Sequence, residues 1–398
     1  MQGASQAFRR DFGAHTLSFV LFRLQPLVEA IILTLFLSVA DFGWWSWAGA
    51  IQLGMLLWAN GGVPAAMLRY GALLEEERLA LLGWGVRESL KWGSLGVLGL
   101  GGVALTLPPP GWWVTLSHAP ALLAQLVAEV LRAHLRAQYS NTRLVYGQML
   151  GFIGGLALLS GGAFFYGLWG AALARLTQPI WQLAPWYALL RAALQTPRQN
   201  FPEVRRFGWQ ALTGNLALEA IFLLPAWLIG WQSGSPILLA YWRWATLLPL
   251  NLRTLFAHLV LYFYPRWALG GQQPLRSYAR LRFYLYLLAG GAAALLVLMG
   301  LFWEVFPGPA YLPARPYYWL AIGVGFIWST DALLLPNLLS AQGAIRRYST
   351  AYGLGLAGAL PFYLGARDNL YLYLVGMGIA ALLAALWAAY RLRMRRVS

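Results

Sequence analysis

Eight ionisable residues fall inside long apolar runs of this chain: Arg23, Glu29, Glu129, Arg175, Glu219, Arg243, Arg253 and Asp331. A charge in hydrocarbon costs about 2.5–3.5 kcal/mol or more, so such a residue pairs, faces a watery cavity or reaches for the interface. The arginines stay charged when buried and grip phosphate or carboxylate through a planar fork. The carboxylates balance that charge or carry a proton or a sodium ion. Helical spacing groups these side chains with neutral polar ones. His118, Gln125, Glu129, Arg132 and Arg136 share one face. Arg175, Gln178 and Gln182 share another, and Arg243, Asn251, Thr254 and His258 lie on one side of a third helix. Such polar stripes imply a central hydrated cavity. Structural roles compete with this. Arg23 and Arg243 lie near span ends and either snorkel or line the cavity. Glu219 either acts in the cavity or neutralises an arginine on a neighbouring span, and Glu129 has Arg132 one turn away. Arg253 and Asp331 lie deeper and favour a functional role.

The elements that position these residues are membrane spans. The 398-residue chain is 60% hydrophobic and only 11% charged, against about 25% charged for a soluble domain. A span needs about 20 apolar residues. The sequence predicts twelve, at 17–40, 44–67, 90–107, 119–135, 144–160, 163–190, 209–231, 237–264, 283–306, 317–339, 348–364 and 370–390. The first is too long for a cleaved signal peptide and lacks a small-residue cleavage pattern. All but one of the 29 basic residues are arginine, Lys91 being the exception. With the N-terminus inside, 23 of them fall in inside segments and only Arg315 and Arg367 in outside ones. That asymmetry supports an even number of spans with both termini cytoplasmic.

The expected fold is therefore an all-α integral membrane protein, with about twelve transmembrane helices in two six-helix bundles around a central cavity. The bundles cover residues 1–195 and 208–398, joined by a cytoplasmic linker at 196–207 that contains Pro197 and Pro202. The first span carries Gln25 and Glu29 and the seventh carries Asn215 and Glu219, four apart in both cases. This weak repeat matches the way many transporters are built.

Other patterns exclude functions. There is no cysteine, so disulfides, thiolate zinc sites and thiol catalysis are ruled out. The four histidines show no metal-ligand spacing, and no Ser-His-Asp grouping is apparent. Gly353, Gly355 and Gly358 spell a dinucleotide fingerprint, but within an apolar span they read as helix packing. Gly147, Gly151 and Gly155 read as a small-residue packing face. The net charge of +16 is dispersed between apolar runs and gives no basic domain for nucleic acid. The short outside loops argue against a polytopic glycosyltransferase or polymerase, which stays the lesser alternative, so a non-enzyme is expected.

Several local motifs, in order, carry a resemblance. They are Ala40-Asp41-Phe42-Gly43-Trp44, the run Gly61-Gly62-Val63-Pro64 leading to Arg69-Tyr70, Arg205-Arg206-Phe207-Gly208, Tyr264-Pro265-Arg266 and Gln342-Gly343. With the spans, they resemble the polysaccharide (O-antigen-type) flippases of the multidrug/oligosaccharidyl-lipid/polysaccharide (MOP) exporter superfamily. The resemblance implies alternating-access flipping of a polyprenyl-diphosphate-linked oligosaccharide across a bacterial or archaeal cytoplasmic membrane. It implies partners among the bilayer, the lipid-linked cargo and other polysaccharide assembly proteins. Arg23, Arg175, Arg243 and Arg253 would then contact the diphosphate or acidic sugars. Glu29, Glu129, Glu219 and Asp331 would balance charge or carry H⁺ or Na⁺, with no other cofactor. The alternative is a cation-coupled exporter of the multidrug/toxin extrusion (MATE) type, whose cavities favour cationic substrates.

Overall fold

The computed structural model describes Gly13, Leu17 and residues 25–138, 140–269, 274–305, 307–341 and 345–397. Among them every regular element is helical: α1 (Gln25–Phe36), α2 (Val39–Ala59), α3 (Val63–Leu73), α4 (Arg78–Ala104), α5 (Gly111–Ser117), α6 (Ala119–Ala137), α7 (Asn141–Leu183), α8 (Tyr187–Gln195), α9 (Pro202–Ser233), α10 (Pro236–Leu269), α11 (Pro274–Leu301), α12 (Arg315–Trp328), α13 (Asp331–Ala341), α14 (Ile345–Ala366) and α15 (Leu370–Val397). Where its residues are described, each of the twelve expected spans falls on one of these helices or on a broken pair. Among the described residues, six helices are long and apolar enough to cross a membrane, or seven if the bent pair α2–α3 counts as one. Helices α4, α10 and α14 are not among the six; they carry charges such as Glu88, Arg253 and Arg347. Large apolar side chains are left bare, among them Leu35, Leu98, Phe165, Leu287 and Leu386. Without hydrocarbon around it such a surface would aggregate.

The chain divides into two compact units, Met1–Leu212 and Thr213–Ser398. In unit 1, α3, α4, α6 and α8 contribute to a core of Met67, Leu81, Trp84, Val130, Leu131 and Ala193, with Trp186 from the turn before α8. In unit 2, Phe256, Leu285, Ala289, Leu333 and Leu334 pack together from α10, α11 and α13.

Spans five and six are the two arms of α7. The helix is broken at Gly167, whose φ of 56° and ψ of −137° suit only a residue without a side chain. A straight helix would hold Gly147 and Trp186 about 58 Å apart at 1.5 Å per residue. Instead the Trp186 indole lies against Gly147, the Trp181 ring against Gly154, and the backbones of Gly162 and Gly170 meet. The chain has doubled back, with Phe164, Phe165 and Tyr166 exposed at the tip. The seam differs from the expected one in a single place: it runs through Gly154, and Gly155 faces open space. In the α14–α15 hairpin, Gly355 packs on the Ala380 carbonyl and Gly358 on Leu383, so those two serve helix packing, whereas Gly353, expected to do the same, faces open space.

A side chain at Gly162 would meet the Gly170 carbonyl, which is backbone and cannot swing aside. Gly162→Val should therefore cost about 1–3 kcal/mol, read as a lower melting temperature in detergent. Gly155→Ala, placed in open space, should leave the melting temperature unchanged.

Candidate functional site

In unit 1 the polar residues converge on Arg175, in the second arm of α7. Its Nη1 donates to both oxygens of Glu29 on α1 at 3.5 Å, and its Nη2 to Gln52 Oε1 on α2 at 3.3 Å. Gln52, itself buried, donates through Nε2 to Gln125 Oε1 on α6 at 3.4 Å. Trp45 lies seven residues before Gln52, two turns back on the same face of α2. Its Nε1 donates to Glu29 Oε1 at 3.1 Å, and its ring lies 5.5 Å from the Arg175 guanidinium. His118, fully buried, sets its ring 4.8 Å from the Trp45 ring. Four helices thus deliver one charged pair and a chain of amides. The Arg175 and Glu29 side chains are only 14% and 12% exposed. Their contacts are long for a charge-assisted bond, which is ordinarily about 2.7–2.9 Å. The pair is engaged but loose.

Unit 2 holds a second pair. Arg253 on α10 donates from Nη2 to both oxygens of Glu219 on α9 at 3.1 Å. Its guanidinium lies 3.9 Å from the centre of the Phe222 ring, one turn after Glu219 on the same face of α9. Arg253 is only 6% exposed. One turn before Glu219, Asn215 accepts from the Tyr348 hydroxyl at 3.0 Å. Each of the two residue pairs that suggested a repeat therefore contains a glutamate bound to an arginine of its own unit.

The other expected residues lie apart from these clusters. Asp331 opens α13, just after α12 breaks at Ser329 and Thr330. Its Oδ2 accepts from Arg282 Nη2 at 2.6 Å and from the Tyr286 hydroxyl at 2.9 Å. Arg282, counted in the sequence as an orientation residue, is thus the partner of a span carboxylate. The α6 stripe divides: Gln125 joins the Arg175 cluster, whereas Glu129 meets Arg132 at 4.0 Å on its own helix. Arg243 is half-buried on α10, ten residues or about 15 Å of helix from Arg253. Arg23 and the His258 side chain lie outside the described residues. The sequence alone did not single out Trp45, Gln52, Phe222 or Tyr286. Only the heptad spacing of Trp45 and Gln52, and the i,i+3 spacing of Glu219 and Phe222, hinted at them.

Two of the local motifs meet within unit 1. Arg69 places its guanidinium 4.8 Å from the Phe207 ring, and Tyr70 meets the same ring edge-to-face at 5.9 Å. Gly62, at φ +70°, lies against the backbone of Gly208. On α4, Arg87 donates to the Thr196 and Pro197 carbonyls at 3.2 and 3.3 Å, while Glu88 accepts from Arg205 at 2.7 Å. The mid-chain segment and the first turns of α9 are thereby fastened to α3 and α4.

Among the described residues no group of His, Asp and Glu is arranged to hold a metal ion. The arrangement provides charge neutralisation inside an apolar helix bundle. Glu29→Gln strands the Arg175 charge and should cost roughly 3–5 kcal/mol of stability. The double variant Glu29→Gln with Arg175→Met should cost less than either single change. A double-mutant cycle of denaturation in mild detergent measures both, and additive losses would show that the two side chains do not interact.

No protein-family model and no curated protein matches the chain. Solved structures do. A multidrug-resistance MATE-family transporter of the MOP superfamily in an outward-facing conformation is 15% identical, with a TM-score of 0.68 and coverage of 98% of this chain and 95% of that one. An inward-facing MATE-family transporter gives 13%, 0.68, 94% and 96%. A MOP-superfamily transporter from Pyrococcus furiosus, described as having a binding pocket of reverse polarity, gives 14%, 0.66, 97% and 95%. At such identities the likeness is one of architecture: the chain has the fold of the MOP-superfamily transporters.

Proposed function

We propose that this protein is an alternating-access exporter of the multidrug-extrusion type, driven by a proton or sodium gradient. The observation that carries the reading is the near-full-length likeness to transporters held in both outward-facing and inward-facing states. Charge supports it as well. Arg175 and Arg253 would be the natural ligands of a diphosphate, yet each is engaged by a glutamate. The paired sites approach neutrality and suit an amphipathic cargo better than a multivalent anion. Glu29 is the carboxylate best placed for coupling. Protonation or sodium binding there would release Arg175 from a contact that is already long. Both termini lie on the cytoplasmic side of the membrane in this reading.

A second reading, flipping of a polyprenyl-diphosphate-linked oligosaccharide with other polysaccharide assembly proteins as partners, keeps one specific support. Nε of both Arg175 and Arg253 is buried without an acceptor among the described residues, which leaves each guanidinium an edge for an anionic oxygen.

Reconstitution in proteoliposomes separates the readings. A lipophilic fluorescent cation should move when a proton or sodium gradient is imposed, and Glu29→Gln should remove the gradient dependence. Movement only of a fluorescent polyprenyl-diphosphate oligosaccharide would transfer the assignment to the second reading. Movement of neither would overturn transport. The cysteine-free sequence also permits a topology test. A Cys at Ser398 should react with an impermeant maleimide only from the cytoplasmic side, and one at Ser235 only from the opposite side.

A further inference from the structure

The α14–α15 hairpin ends in a cluster of arginines that, among the described residues, form no ion pair. In the hairpin, Gly376 packs on Tyr363 and Gly355 on Ala380. Continuing that antiparallel register brings Arg346 and Arg347, at the start of α14, level with Tyr390 and Arg391 of α15. The α15 helix then runs on to Val397, with Arg393 half a turn beyond Arg391. Among the described side chains, four cations thus lie toward one end of one hairpin. Its only carboxylate, Asp368, lies in the turn at the other end, and the carboxylate of neighbouring α13, Asp331, is held by Arg282.

Like charges this close repel unless an anion lies among them. The surroundings indicate which kind. Arg391 stacks its guanidinium 4.3 Å from the Trp387 ring and 5.8 Å from the Tyr390 ring, and tryptophan and tyrosine favour the headgroup level of a bilayer. The flank beside it, Leu386 and Tyr390, is 66% and 52% exposed and suits acyl chains. Arg391 Nε is buried with no acceptor among the described residues. An apolar, aromatic-floored edge beneath a group of forked donors matches the two ends of a phospholipid.

We propose that this end of unit 2 is a binding site for anionic phospholipid, with the headgroup phosphate held by the arginines of α14 and α15 and the chains lying along Leu386 and Tyr390. Arginine near an anionic membrane surface strengthens the attraction about fivefold per residue, so the cluster selects anionic over neutral lipid. The site is independent of the transported cargo and remains if the exporter reading fails.

The test measures lipid retention by native mass spectrometry and thermal stability in phosphatidylcholine vesicles with and without phosphatidylglycerol. The wild-type protein should retain phosphatidylglycerol in preference to phosphatidylcholine and melt at a higher temperature when it is present. Both effects should shrink in high salt. Arg391→Gln with Arg393→Gln should lower the anionic preference by at least about fivefold. If that variant does not fold, Arg346→Gln with Arg347→Gln gives the same measurement from the other helix. An unchanged preference in the variants would overturn the proposal. So would equal stabilisation by inorganic phosphate in neutral vesicles, which would make the site one for a free anion.

Discussion

An isolated charge is far more costly in hydrocarbon than in water, and the interior of each unit is arranged around that cost. Arg175 is matched by Glu29, and Arg253 by Glu219. In both cases the partners come from different helices, so the pair also fixes how those helices are rotated. The flanking aromatics extend the same effect. Trp45 contributes its indole N–H to Glu29 and its face to Arg175, and Phe222 lies under Arg253. A buried ion pair of this kind adds little net stability, because desolvation offsets the attraction, but breaking it leaves a bare charge. Neutralising one partner of such a pair therefore leaves the other a bare charge in an apolar interior.

Close backbone approach is the second constraint. Helices in lipid gain nothing by hiding apolar side chains from tails that are equally apolar, so association depends on contact distance. Gly162 against Gly170, Gly62 against Gly208 and Gly355 against Ala380 provide that contact. At the Gly62–Gly208 contact a chain of polar links is added, Arg87 to the Thr196 and Pro197 carbonyls and Glu88 to Arg205. The exporter reading places function in the loose Glu29–Arg175 pair, whereas these short contacts hold the frame around it.

Much of this was legible from residue types alone. Apolar runs of span length, with arginine concentrated in alternate gaps, gave the helices and their order, because hydrocarbon thickness sets the length and insertion sets the charge bias. Glu29, Arg175, Glu219 and Arg253 stood out for the same reason: any charge in such a run needs an explanation. Their neutral partners did not. Gln52, Trp45 and Phe222 are unremarkable in a sequence rich in amides and aromatics. Arg282 looked like one more positively charged flank until its contact with Asp331 appeared. Glycine packing was foreseen, yet the seam passed through Gly154 in place of Gly155, since a difference of one residue is about 100° of helix rotation.

By itself, then, the sequence determined the solvent, the helical class and the positions where charge enters the membrane, because those follow from the hydropathy and charge of each segment. Only the tertiary structure decided who neutralises whom. Partners such as Glu29 and Arg175, or Gln52 and Gln125, lie many residues apart, and their meeting depends on the rotation and crossing of separate helices. Read singly, the arginines suggested an anionic cargo; the structure adds that two of them, Arg175 and Arg253, are each engaged by a glutamate from another helix, so opposite charges offset one another there.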